Sequence, residues 1–237
     1  MSLNVLKIVF IFILGIGGGI FADQILWPYL VERPLLYQYR LEQSPVYVTE
    51  RREVVIKENS AVTSAIEKVE KAVVGVRTRT GDTFLEGSGL IVASDGLMVT
   101  LASLVPQGSP FSFFVDGQTV SFQILKRDLK NNLALVKIGK TNLPTVGFAD
   151  SAKLKAGERV FLIGAVFEGK EVGKAVNVGI IRSLNEDSFE TNIFETSNLA
   201  GSPLFDVEGN TIGLSIIGID GQVSAIPVTQ IKQFLGF

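Results

Sequence analysis

Between Ala72 and Val228 the sequence breaks into short apolar runs separated by turn pairs, and that rhythm limits what the chain can become. AVVGVRT, GSGLIVAS, GLMVTLAS, SFFVD, TVSFQILK, LALVKI, RVFLIGAV, AVNVGIIRS, NTIGLSII and QVSAIPV follow one another in this order. Asp-Gly, Asn-Asn, Gly-Lys and Gly-Asn pairs lie between them, dipeptides that favour tight turns. No long helical period intervenes. The pattern predicts ten to twelve strands in an all-β sandwich or pair of barrels. A chain of 237 residues can bury a core of that size.

Composition removes whole classes of chemistry. The chain has no cysteine and no histidine. There is no thiolate nucleophile, no Cys-ligated metal, no imidazole base and no imidazole ligand. Neither a cofactor nor a metal is expected. The net charge of −2 and pI near 5.4 carry no basic surface, so no nucleic-acid partner is expected.

The mean hydropathy of +0.35 is high for a soluble chain, and part of it comes from the N-terminus. Val5 to Ala22 is an 18-residue run in which Lys7 is the single charge. As a helix it spans ~27 Å, close to the hydrocarbon thickness of a bilayer. The run is long for a signal peptide, and Ile20 and Phe21 suit a small-residue cleavage site poorly. The expectation is an uncleaved, single-pass anchor in the lipid bilayer, with Trp27 and Tyr29 at the interface. Lys7 and the amino terminus on one side and Asp23 on the other are expected to leave the N-terminus in the cytoplasm and the globular part outside it. Gly15 and Gly19 form a G-x-x-x-G, which a glycine-rich run produces by chance.

The domain reading is an anchor over 1–27, a juxtamembrane linker over 28–58 and a globular domain over 59–237. Pro28, Pro34 and Pro45 interrupt the linker, and alternation at Val46, Val48, Val54 and Ile56 predicts an extended stretch. Asn59 or Ser60 is expected to cap a helix reaching about Lys71, with Ala61, Ala65, Ile66 and Val69 on its apolar side. A short helix is expected from Val228 to the end.

Three separated segments resemble one family. GSGLIVASDGLMVTLASLV (87–105) is similar to the G-S-G-x-I…T-N-x-H-V stretch of HtrA-type, trypsin-like serine proteases. DLKNNLALVKI (128–138) is similar to that family's D-x-x-x-D-[IL]-A-[VL]-[LI]-[KR]-[IV], and TNIFETSNLAGSPLFDVEGNTIGLS (191–215) to its segment containing G-N-S-G-G-P-L. SAIP at 224–227 matches the family's closing [YF]-A-I-P. The resemblance covers about residues 62–235. It implies two packed six-stranded antiparallel β-barrels with a catalytic cleft between them.

The resemblance places the family's histidine at Ser103, its aspartate at Asn132 and its serine at Ala200. An alanine has no nucleophilic atom, a serine hydroxyl does not accept a proton near neutral pH, and an asparagine does not stabilise an imidazolium. The oxyanion loop corresponds to Asn198, Leu199, Ala200 and Gly201, followed by Ser202. Asn198 is expected to hold a left-handed turn, with Leu199 and Ser202 altering the loop. The resulting expectation is that the chain is not an enzyme but a membrane-anchored pseudoprotease that binds or scaffolds a peptide or protein.

The family lays substrate as an added strand along the second barrel, which here implies an edge at Ile212, Leu214, Ile216 and Ile217. A buried barrel strand is the competing reading of the same residues. The resemblance also implies trimers, for which Tyr29, Tyr37, Tyr39 and Tyr47 could supply contacts. The chain ends at Phe237, so no PDZ domain is expected. Two other functions stay open: a serine-type endopeptidase working through non-standard residues, and a purely structural β module.

Overall fold

The computed structural model describes residues 3–27, 58–169, 171–185 and 187–236. Two units separate, Met1–Val54 and Val55–Phe237. In the first, helix α1 spans Leu3–Phe21 and a π-helical turn continues it over Ala22–Leu26. Asn4–Leu26 is long and apolar enough to cross a membrane. Its side chains, Ile8, Phe10, Phe12, Ile16 and Phe21 among them, are exposed all round. A helix apolar on every face suits lipid, as an anchor or a signal sequence does. The predicted linker, its extended stretch and Tyr29, Tyr37, Tyr39 and Tyr47 lie outside the described residues.

The second unit holds thirteen strands among the described residues. The first seven are β1 (Val73–Thr80), β2 (Thr83–Ile91), β3 (Leu97–Leu101), β4 (Phe111–Val115), β5 (Gln118–Val120), β6 (Phe122–Asp128) and β7 (Leu133–Ile138). They form one antiparallel sheet in the order β5-β4-β1-β2-β3-β7-β6. The other six are β8 (Arg159–Glu168), β9 (Glu171–Leu184), β10 (Phe189–Phe194), β11 (Pro203–Asp206), β12 (Thr211–Ile217) and β13 (Gln222–Pro227). These close into a barrel in the order β10-β13-β12-β11-β8-β9.

One of the two expected six-stranded barrels is therefore closed, while the other is a seven-stranded half-barrel sheet. The difference comes from TVSFQILK, which reads as one strand but breaks at Ser121. Its first half, β5, pairs with β4 and its second half, β6, pairs with β7, at opposite edges of the sheet. Consecutive residues thus sit on both edges, and the sheet curls back towards itself. The Phe111 and Phe113 rings of β4 bridge to Phe122 of β6, with centroids 5.0 and 4.9 Å apart. Aromatic packing there takes the place of a ladder.

Helix α2 (Glu58–Val69) buries Val62, Ala65 and Val69, one face at helical spacing. It is already in place at Glu58, so neither Asn59 nor Ser60 stands at its start. Helix α3 (Val228–Leu235) buries Val228, Ile231 and Phe234. The β8–β9 hairpin reaches the first sheet. Phe167 packs edge-on to Phe114 at 5.4 Å, and Arg77 lies 4.2 Å over the Phe167 ring while pairing with Glu86 at 2.7 Å.

Candidate active-site region

The turn after β3 and the start of β7 come together first. Ser103 is exposed in the 3-10 turn Ala102–Leu104. Asn132 precedes β7 with φ +53°, a left-handed conformation that asparagine tolerates better than most residues. That backbone turns its groups onto the β3 turn. Ser103 N–H donates to Asn132 Oδ1 at 2.8 Å, and Ala102 N–H to the Asn132 carbonyl at 3.0 Å. Asp128 shapes the loop before Asn132. Its carboxylate accepts from Lys130 N–H at 3.0 Å, Asn131 N–H at 3.1 Å and Asn131 Nδ2 at 2.6 Å. The Asn131 side-chain bond, followed by the backbone bonds, holds the Asp128 carboxyl below its ordinary pKa.

Ala200 arrives from the other barrel. The loop Ser197–Leu199 is a 3-10 turn and Ala200 leaves it extended, with φ −61° and ψ 145°. The Ala200 carbonyl accepts from Ser88 N–H at 2.9 Å. Gly87 explains how the segments approach so closely. A Cβ there would lie 2.5 Å from Leu104 Cδ1 and 2.6 Å from Ala200 O. Because Leu104 follows Ser103, the segments carrying Ser103, Asn132 and Ala200 meet around Gly87.

Within the loop, Leu199 N–H donates to Thr196 O at 3.0 Å and Ala200 N–H to Ser197 O at 3.1 Å. Both amides are spent internally rather than aimed at a ligand. Asn198 is not the left-handed residue: among the described non-glycine residues positive φ falls at Asp116, Asn132 and Asn142. Leu199 is buried in the second barrel's core and fixes the loop from below.

Ser202 follows inside a cluster of buried hydroxyls that the sequence reading passed over. Ser202 Oγ donates to Ser88 Oγ at 3.1 Å, and Ser88 Oγ accepts from Ala165 N–H at 2.8 Å. Ser215 Oγ accepts from Ser202 N–H and donates to Leu199 O, each at 2.9 Å. Ser88, Ser202 and Ser215 are all fully buried. Gly164 leaves room for them: a Cβ there would sit 2.3 Å from Ser202 Oγ and 2.4 Å from Leu199 Cδ2. The extra atoms of Leu199 and Ser202 are thus absorbed at Gly164. The signal was present in the G-S-G motif, whose serine is the hub and whose first glycine is the close approach.

The expected edge divides in two. Ile212 and Leu214 are fully buried, and β12 there lies between β11 and β13. They are barrel interior rather than edge. β11 ends opposite Leu214 at Pro203, so beyond it β12 keeps only β13 as a strand neighbour. Ser215 still exchanges bonds with Gly201 and Ser202, at 2.9 and 2.8 Å. By the alternation of an antiparallel pair, Ile216 then turns its backbone to β13 and Ile217 turns its amide and carbonyl away from it. Ile216 is 36% exposed and Ile217 half-buried. The available edge is short and centred on Ile217.

With this geometry in view, similarity to known proteins is informative. Residues 87–214, just over half of the chain, match the family described as "Trypsin-like peptidase domain". Serine protease HTRA1 of Xenopus tropicalis is 30% identical over 200 residues, covering 73% of this chain and 42% of that protein. A Halomonas elongata protein named "Probable periplasmic serine endoprotease DegP-like" is 30% identical over 138 residues, covering 54% and 28%. The chain thus spans less than half the length of these curated relatives. The solved structure "HtrA-type protease AlgW with tripeptide" superposes with a TM-score of 0.65 at 24% identity, over 73% of this chain and 62% of that one. At that identity it speaks to the fold.

These relatives correct the expectation that the chain is not an enzyme. They are named serine proteases and endoproteases, and the matched domain is a peptidase domain. The expectation rests on the residues at Ser103, Asn132 and Ala200, whereas the matched family is a peptidase domain. On the matched domain, the relatives and the fold, the chain belongs to the trypsin-like peptidase family, in its HtrA-type branch.

Proposed function

We propose that the domain captures an extended peptide or protein segment as a strand added beside β12, outside the cytoplasm and tethered to a membrane by α1. The observation that carries this is the register of β12, which turns the Ile217 amide and carbonyl away from β13 past the point where β11 ends. Main-chain bonds to such an edge supply affinity with little sequence demand, and side-chain pockets add selectivity. Solved HtrA-type AlgW structures hold a tripeptide and a decapeptide, which supports peptide binding in this fold. The relative named periplasmic supports an extracytoplasmic domain, and the charges at Lys7 and Asp23 support a cytoplasmic N-terminus.

In this reading Ser103, Asn132 and Ala200 occupy the positions of the family's histidine, aspartate and serine. They provide no imidazole and no hydroxyl at position 200, so peptidase activity in this chain would run through other side chains. Binding is tested on the full chain in detergent micelles, by fluorescence anisotropy of labelled eight-residue extended peptides. Ile217→Pro removes the outward amide and leaves the ladder to β13. The expected result is at least a tenfold loss of affinity with unchanged circular dichroism; unchanged affinity would overturn the reading. Mass spectrometry of the same incubations reports cleavage separately from binding.

A further inference from the structure

A cavity of about 660 Å³ opens beside Ser103 and Asn132. Ile124, Leu125 and Leu129 give it apolar walls, with Leu129 80% exposed. Its charged lining is cationic: Lys126 and Arg127 from β6. Lys126 is held in place against α3, with Nζ donating to Phe234 O at 3.2 Å and lying 4.5 Å over the Phe234 ring. Arg127 spends Nε on the Val105 carbonyl at 2.8 Å. Its terminal guanidinium nitrogens have no hydrogen-bond or ion-pair partner among the described residues. Asp128 is the adjacent acid, and its carboxylate is taken by Lys130 and Asn131.

The cavity therefore combines apolar walls with a half-buried, oriented guanidinium whose outer donors are unused. A planar guanidinium matches a carboxylate through two parallel hydrogen bonds, and partial exclusion of water strengthens them. A neutral polar group would use the same donors without the charge, and a cation would be repelled by both side chains. We infer that this cavity selects a carboxylate borne by an apolar peptide, supplied by an acidic side chain or by the peptide's C-terminus. The inference rests on peptide capture by this domain and names the chemistry that capture prefers.

The test uses the full chain in detergent micelles and eight-residue valine peptides carrying a dansyl label, which has no carboxylate. One carries a central Glu, one a central Gln, and each is made with a free and an amidated C-terminus. The expected result is about tenfold tighter binding of the carboxylate-bearing peptides, in keeping with a charge-assisted bond. The preference should weaken with added salt, fall to parity in Arg127→Gln and return only in part in Arg127→Lys, which keeps the charge but lacks the planar fork and the anchor to Val105. Lys126→Gln, which leaves the Arg127 anchor to Val105 intact, should also reduce it. A Glu preference in the amidated pair identifies the side chain as the carboxylate source; a preference for the free C-terminus in the Gln pair identifies the terminus. Equal binding of all four peptides overturns the cavity assignment while leaving peptide capture standing. Binding of none overturns both.

Discussion

Residues 197–202 hang from buried hydroxyls, whereas residues 128–132 hang from an exposed carboxylate. The first loop is fixed by Ser88, Ser202 and Ser215, all without solvent exposure, and by Leu199 in the barrel core. The second is fixed by Asp128 capping its own turn and by the left-handed Asn132. Buried polar groups are costly to leave unpaired, so the first anchor is strong and independent of acid. The second depends on a charge that solvent and protons can reach. Ala200 and Asn132 are thus presented to one region by supports of different strength.

The contrast can be broken most severely at Gly164. Gly164→Ala places a Cβ against Ser202 Oγ and Leu199 Cδ2, and should cost about 3 kcal/mol of stability. Combining it with Ser202→Gly removes one of the two clashes and should restore part of the loss. Urea unfolding followed by far-UV circular dichroism is the appropriate measurement, because the single tryptophan, Trp27, lies beyond the end of α1. Ser88→Ala strips the Ala165 amide of its acceptor and Ser202 Oγ of its partner. It should cost about 2 kcal/mol in the same assay.

Effects on the other loop should be smaller. Asn132→Ala loses the bond to Ser103 N–H and leaves an alanine at φ +53°, for an expected cost of about 1–2 kcal/mol. Asn132→Gly relieves the backbone and isolates the side-chain bond. The smallest effect is acid sensitivity. Asp128 has a folded pKa below its ordinary value of 3.8, so the unfolded chain takes up the proton more readily. Its contribution is present above about pH 4 and is lost as pH falls through the depressed value. The stability difference between the parent and Asp128→Asn should therefore shrink below pH 4. A comparable acid dependence of the Ser88→Ala difference would contradict the contrast between the loops.

Much of the architecture was legible because strand runs and turn pairs are local signals. Eight of the ten apolar runs align with single strands, and AVNVGIIRS grows into the longer β9. TVSFQILK hid a break because nothing in its composition marks Ser121 as the point where two sheet edges meet. β10 and β11 carry weak local signals. FETNIF interleaves polar residues and its ladder to β9 shifts register, while PLFD is four residues long and opens with proline.

The sequence singled out three positions whose segments the fold brings together, and it hid their supports. Motif spacing points to Ser103, Asn132 and Ala200, but the Ser88 hub joins residues 114 positions apart. Gly164 gives no signal of its own until Ser202 and Leu199 are seen opposite it. The edge was overdrawn because Ile212, Leu214, Ile216 and Ile217 are alike in composition. Only the end of β11 at Pro203 separates the enclosed Ile212 and Leu214 from the edge at Ile217.

The added-strand account turns on the Ile217 amide. Site-resolved amide exchange on the full chain, with and without a saturating extended peptide, reads that group directly. The account predicts fast exchange at Ile217 in the free protein and strong protection with peptide, while Ile216, paired to β13, is protected in both. Exchange at Ile217 that is slow without peptide, or unchanged when peptide binds, would contradict it.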